Sequence, residues 1–485
     1  MLTLFTRGNL IITSFFLNNF ILFQYSNNYI VLPFKTTNIP FQEIITNSTI
    51  ENFLSQIDTN QLYTTLSFGS PSKNIDIYLS MEQLAFSILS NNCLRGSYSS
   101  YDPSLSNTFK NETPYTNSIG FISKACIATE QCSFYNNINL TENINSGDFK
   151  FYLGNNSSPK SQNNIDSDRL CGIAGLIRSS FNNNLNNYNL IYFLKKNGII
   201  DSYSWGIFYF DKENSYNVDK DIQSKYDGLL IAGITNNTYL DIFKTKNVYN
   251  SYAYDSFFWS LHFNKIYFND SEAEYVCSNN TRLEFVIDMN YITSDRSYYE
   301  NIKKYFFKKY LDEKICVEEK VYKTYEENNY MIICNTEFKS SLSSFPKIYF
   351  YSEKYPYVLN LDYNDVFIEL NNKIYFLIIF KEAINTLWRV GKIFMKKYPF
   401  IFDYDQKTIS FVQLNKFGGQ SNKEEEKENN IWEKIKIYVF IILLIIAVII
   451  GVFIGKYIWK KQRKKRANEL NDDNYEYIEK FDINK

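Results

Sequence analysis

Leu62-Tyr63-Thr64-Thr65-Leu66-Ser67-Phe68 alternates apolar and polar positions and then meets Gly69-Ser70-Pro71, a turn. Alternation resumes over Ile75–Leu79, so the two stretches predict a β-hairpin. Aromatic and β-branched runs predict further strands at Ser204–Phe210, Gly228–Ala232, Phe257–Phe263, Leu283–Ile287, Lys347–Tyr351, Phe400–Asp403 and Thr408–Val412, with a turn at Asp403–Lys407 between the last two. Helical patterns are fewer in this body; Leu190–Asn197 is one and Tyr298–Tyr310 another. The body of the chain is therefore expected to be mainly β.

Two stretches break the alternation. Ile437–Gly455 reads IYVFIILLIIAVIIGVFIG, 19 residues without a charge. At ~1.5 Å per residue such a helix crosses a hydrocarbon core of ~30 Å. Lys456, Lys460, Lys461, Arg463, Lys464, Lys465 and Arg466 follow it, and Glu424, Glu425 and Glu426 precede it. That asymmetry places the C-terminus in the cytosol. Near the other end, Arg7 followed by apolar Leu10–Phe23 reads as a signal peptide. Together the ends describe a single-pass type I membrane protein of the secretory or endolysosomal system or the cell surface, its body lumenal or extracellular. Glycosylation sequons at Asn47, Asn111, Asn139, Asn155, Asn156, Asn236, Asn269 and Asn279 all precede the span. In the polar tail, Tyr475-Glu476-Tyr477-Ile478 offers an extended segment to a sorting adaptor.

Composition narrows the chemistry. A length of 485 residues suits two lobes plus tails, and 45% apolar residues can bury a core. The net charge of −1 gives no reason to expect nucleic acid. His262 is the sole histidine, so a multi-histidine metal site is excluded, and neither metal nor cofactor is expected. Cysteines stand at 93, 126, 132, 171, 277, 316 and 334 without a paired CxxC pattern; in an oxidising compartment they allow three disulfides and one thiol. The short spacing of Cys126 and Cys132 allows a small local disulfide loop.

Several segments, in order, resemble the pepsin-like aspartic protease family. Leu62–Pro71 is similar to its opening hairpin (YYTxIxIGTPxQ), and Tyr101-Asp102-Pro103-Ser104-Leu105-Ser106-Asn107-Thr108-Phe109 to YDPSxSSTF. Cys171-Gly172-Ile173-Ala174-Gly175-Leu176 resembles DGILGL. Ile191–Phe210 resembles FxxLKxxGLIxxxxFSFYL, and Gly228–Gly233 resembles GELTFGG. Leu387–Tyr398 looks like WILGDVFLRKYY, and Phe402–Phe411 like VFDxxxxRIGFA. The resemblance covers about Leu62–Val412. It implies a two-lobed fold and a Cys316–Cys334 disulfide in the second lobe. The division expected is a signal peptide over 1–26, an N-terminal segment or propeptide remnant over 27–60, lobes over 61–222 and 223–415, a polar stalk over 416–434, a membrane helix over 435–459 and a cytosolic tail over 460–485.

The family's reaction needs two aspartates, each in an Asp-Thr/Ser-Gly turn, sharing a proton and a water between the lobes. Neither tripeptide occurs in this chain. Ser80 aligns with the first aspartate, and the family's nearby Trp falls at Ser87. In the second turn, Val286-Ile287-Asp288-Met289-Asn290, the acid is kept as Asp288 while Met289 and Asn290 replace Thr and Gly. Where the family has a Tyr-Gly-x-Gly-Ser flap tip, this chain reads Ile119–Cys126. A serine hydroxyl is no general base at ordinary pH. Glu82, two residues beyond Ser80, and Asp76, four before it, are the carboxylates that could share its face and replace the lost acid. The reading expected is a membrane-tethered pseudoprotease that holds an extended peptide or protein segment between its lobes without cutting it. The alternatives are an active divergent aspartic endopeptidase working at acid pH and a glycosylated surface scaffold.

Overall fold

The computed structural model describes residues 28–36, 61–83, 85–90, 101–113, 122–157, 172–177, 189–210, 218–235, 238, 248–255, 258–268, 275–276, 281–321, 329–352, 358–381, 387–412, 451 and 453–464. The signal peptide, the stalk, Tyr475–Ile478, the flap tip at Ile119–Phe121, most of the apolar run Ile437–Gly455, and Cys93, Cys171 and Cys277 lie outside them. The described residues divide between two units, one ending at Leu414 and the other beginning at Asn415. In the second, residues 453–464 are helical and carry exposed Phe453, Tyr457 and Trp459. No helix among the described residues is long and apolar enough to cross a membrane.

The first unit is mainly β. Leu62–Phe68 buries every second residue, as its alternation requires, and pairs antiparallel with Lys73–Ser80. Among the described residues these two belong to a 13-stranded sheet, beside a 9-stranded and a 4-stranded one. The first sheet also takes in Ser204–Tyr209, Gly228–Ala232 and the terminal hairpin Phe400–Asp403 with Thr408–Val412. Its largest hairpin joins Ile122–Tyr135 to Asn143–Ser157. Register shifts at three places along that pair mark irregularities.

One strand precedes the opening hairpin. Ile30–Thr36 lies between Gly228–Ala232 and Leu62–Phe68, with Ile30, Val31, Leu32 and Phe34 buried. The segment before residue 61 thus contributes a central strand to the first sheet. The expected helix Tyr298–Tyr310 is longer, running from Arg296 to Asp312 with a π-helical stretch at Lys303–Phe307.

Cys316 and Cys334 sit directly opposite each other on paired strands and are bonded. Cys126 and Cys132 are not bonded to one another, which corrects the expected local loop. Both lie buried on the single strand Ile122–Tyr135. Six residues of extended chain separate them by ~20 Å, far beyond disulfide reach.

Aromatic residues fill the core and join the sheets. Trp205 and Phe402 of the first sheet stack at 4.4 Å between ring centroids. Trp259, beside a second-sheet strand, packs on Phe402 at 5.1 Å and on Tyr404 at 4.7 Å. The same two residues fasten the chain next to Ser80. Trp259 Nε1 donates to the Leu176 carbonyl at 3.2 Å, and the Tyr404 hydroxyl donates to the Ile177 carbonyl at 2.8 Å.

Candidate functional site

Of the two positions that the resemblance marks as catalytic, Ser80 ends and Asp288 follows a strand held by a parallel neighbour. Lys73–Ser80 runs parallel to Gly172–Gly175, and Leu176 N donates to the Ser80 carbonyl at 2.7 Å. In the second sheet, Arg282–Phe285 runs parallel to Leu387–Val390, and Val286 N donates to the Val390 carbonyl at 2.9 Å. The turn after it closes through Met289 N to the Val286 carbonyl. Its Met289 carbonyl accepts the Lys392 N–H at 2.8 Å. Ser80 thus leaves a strand end and Asp288 a short turn, each with its neighbouring backbone held by hydrogen bonds.

The two turns meet. Ser80 Oγ donates to Asp288 Oδ2 at 3.2 Å, and the Met81 N–H donates to the same oxygen at 3.2 Å. Oδ1 accepts from the Tyr78 hydroxyl. Ser80 Oγ itself accepts the Glu82 N–H at 3.1 Å. Ser80 is 2% exposed and Tyr78 7%. Tyr78 and Ser80 point the same way because strand side chains alternate with period two.

Asp288 keeps some contact with solvent as a residue, while its carboxyl oxygens face Tyr78 and Ser80 of the other sheet and the Met81 N–H. Burial lifts that carboxyl from the ordinary carboxylate range to about 7. The positive charge of Lys392, the Met81 N–H, the Arg389 guanidinium and the Glu82 N–H pull the other way without cancelling it. A carboxyl so placed carries a proton through much of the acid range. It can then donate a hydrogen bond, but the hydroxyl facing it cannot take a proton from water.

The carboxylates that might replace the missing acid are engaged elsewhere. Asp76 Oδ1 accepts from Thr65 Oγ1 at 2.6 Å. The Glu82 carboxylate pairs with the Arg389 guanidinium, whose Nε also donates to Glu284 Oε1 at 3.0 Å. Glu284 is buried, and burial raises its pKa against the opposing charge of Arg389. Ser87 lies buried in the strand Phe86–Leu89, opposite Ile173. His262 ends the strand Ser260–His262 opposite Arg282, its ring 5.4 Å from that of Tyr254. Among the described residues no group of three or more His, Cys, Asp or Glu side chains has the arrangement of a metal site.

Three residues here were missed by sequence reasoning. Tyr78 had a usable signal, since it precedes Ser80 by two on an alternating strand. Lys392 had one as well: Gly391-Lys392 stands where the compared motif WILGDVFLRKYY reads Gly-Asp. Its buried ammonium supplies positive charge near Asp288. Arg389 lies in the same segment, but nothing in the pattern pairs it with Glu82.

The family model for eukaryotic aspartyl protease matches residues 61–414. No curated protein matches the chain.

Proposed function

Because the chain belongs to the eukaryotic aspartyl protease family, we propose that it is a non-hydrolytic member that binds an extended peptide or protein segment. One observation carries the reading: Asp288 faces the Ser80 hydroxyl at 3.2 Å, where the family's reaction needs a second carboxyl. A dyad works by dividing one proton between two acids, so that one accepts from water while the other donates to the carbonyl. Serine holds its proton too tightly for the first task. Glu82 does not take that role while its carboxylate lies on Arg389. Recognition needs none of this chemistry, because an extended segment is held by main-chain hydrogen bonds and side-chain pockets.

The assay is direct. The full chain in detergent is incubated with a denatured protein between pH 3 and 6. No cleavage above the blank is expected, and immobilised chain is expected to retain peptides intact. Cleavage blocked by a statine-type inhibitor would establish the active endopeptidase instead. Neither cleavage nor retention would leave the glycosylated scaffold.

The same proposal places the body on the lumenal or extracellular side, tethered by Ile437–Gly455 with the basic block beyond it in the cytosol. In sealed microsomes, added protease is expected to remove only the short tail and leave a glycosylated body. Digestion of the body in intact vesicles would reverse the orientation.

A further inference from the structure

We infer that Tyr78 closes the candidate centre: its hydroxyl, with Ser80 Oγ and the Met81 N–H, turns Asp288 into a fastener between the two large sheets. The inference rests on the non-hydrolytic reading and says what the retained acid does instead.

The acceptor capacity of the carboxyl group makes the case. Ionised, its two oxygens offer about four acceptor sites; protonated, one site is given up to its own O–H and the rest still suffice for three donors. Oδ1 takes the phenol hydroxyl, and Oδ2 takes both the serine hydroxyl and the backbone N–H. All three donors come from the end of Lys73–Ser80 and the residue after it, in the first sheet. The acceptor comes from the turn after Arg282–Phe285, in the second. Tyr78 is placed for this by pairing on both sides: it lies opposite Tyr63 in one neighbouring strand and Ile173 in the other. Its ring packs with those same two residues, so the hydroxyl cannot swing away without disturbing the sheet. A serine alone would leave Oδ1 needing another donor in an enclosed place.

A second contact crosses between the sheets alongside the first. Arg389 joins Glu284 in its own sheet to Glu82, two residues beyond Ser80. Asp288 and Arg389 thus tie the same first-sheet turn from neighbouring strands, one as acceptor and one as donor. A group that catalyses must offer its oxygens to a substrate; this one offers them to its own fold. Tyr78 is therefore a positioning residue, acting through Asp288.

Hydrogen exchange of the full chain in detergent tests this at the Met81 and Glu82 amides. Tyr78→Phe and Asp288→Ala are each expected to speed exchange there at least tenfold. The double variant is expected to go no further than the faster single one. Exchange over Ile348–Tyr351, remote in the third sheet, reports whether each variant is folded. The infrared carboxyl band of Asp288, identified by its loss in Asp288→Ala, is expected to shift in Tyr78→Phe, which loss of ring packing alone would not cause. Should Tyr78→Phe fail to fold, Ser80→Ala removes one donor and is expected to speed exchange about threefold at the Met81 amide, which is read alone because the Glu82 N–H loses its own acceptor in that variant. Unchanged exchange in the folded variants, effects that multiply, or an unmoved band would each overturn the inference. Cleavage by the unaltered chain is scored separately: it would sink the non-hydrolytic reading, whereas unchanged exchange without cleavage would sink only the fastener.

Discussion

Replacing Asp288 by Asn is expected to stabilise the body by up to roughly 4 kcal/mol above pH 7 and to change little near pH 3. The folded chain holds the Asp288 proton with a pKa of about 7, against an ordinary 3.8. A folded pKa above the unfolded one means that the fold prefers the protonated form. The stability contributed is therefore complete below pH ~4 and is lost as pH rises to ~7, after which the deficit stays constant. Asn cannot ionise, so it escapes that loss. It also keeps a carbonyl oxygen for Ser80 and Met81, and its amide can donate to the Tyr78 oxygen. Asn thus preserves the fastening that Ala destroys. Glu284, Asp365 and Asp403 are also pushed up by burial, so the wild-type profile bends the same way for several reasons. The difference between variant and wild type isolates Asp288. Urea midpoints from pH 3.5 to 8.5 measure it, and parallel profiles would show that Asp288 ionises without penalty in the fold.

Much of this centre is legible in the sequence, for a physical reason. Alternation with a period of two survives where one face of a strand is buried, which bounds Leu62–Phe68 to the residue; Gly228–Ala232, buried on both faces, is legible instead as a short apolar run between glycines. Ser80 ends one strand and Asp288 follows another, and the order of these segments along the chain is enough to align them. Ile30–Thr36 was not found because Pro33 lies inside it, and proline lacks the N–H a central strand donates. The structure tolerates it in a run otherwise deeply buried, with the Pro33 carbonyl accepting from Thr64 Oγ1 at 2.9 Å. The pairing of Cys126 with Cys132 failed because spacing in sequence says nothing about direction: an extended strand carries near neighbours apart. Tyr78 and Arg389 show the wider limit. Their partners lie 210 and 307 residues away, a separation no local pattern encodes.

Gly391 should prove the least replaceable small residue of the site. A Cβ there would stand 1.9 Å from the Met289 carbonyl oxygen and 2.6 Å from its carbon. Those are backbone atoms, so no rotamer change relieves the clash. Moving the backbone is also opposed from two sides, since Lys392 N donates to that carbonyl at 2.8 Å and Val286 N to the Val390 carbonyl at 2.9 Å. Gly391→Ala must therefore push the Val286–Met289 turn away from Leu387–Val390, carrying Asp288 with it. A loss of about 4 kcal/mol is expected, above the usual range for one added methyl because neither neighbour can yield. Gly147→Ala is the matched control, because a Cβ there meets nothing within 4 Å. Its stability is expected to stay within about 0.5 kcal/mol of wild type. Exchange at the Met81 amide should rise in Gly391→Ala and not in Gly147→Ala, because only the former displaces the oxygen that Met81 donates to. Equal unfolding midpoints for the two variants would mean that the turn gives way freely, and that the position of Asp288 is not set by its close packing against Gly391.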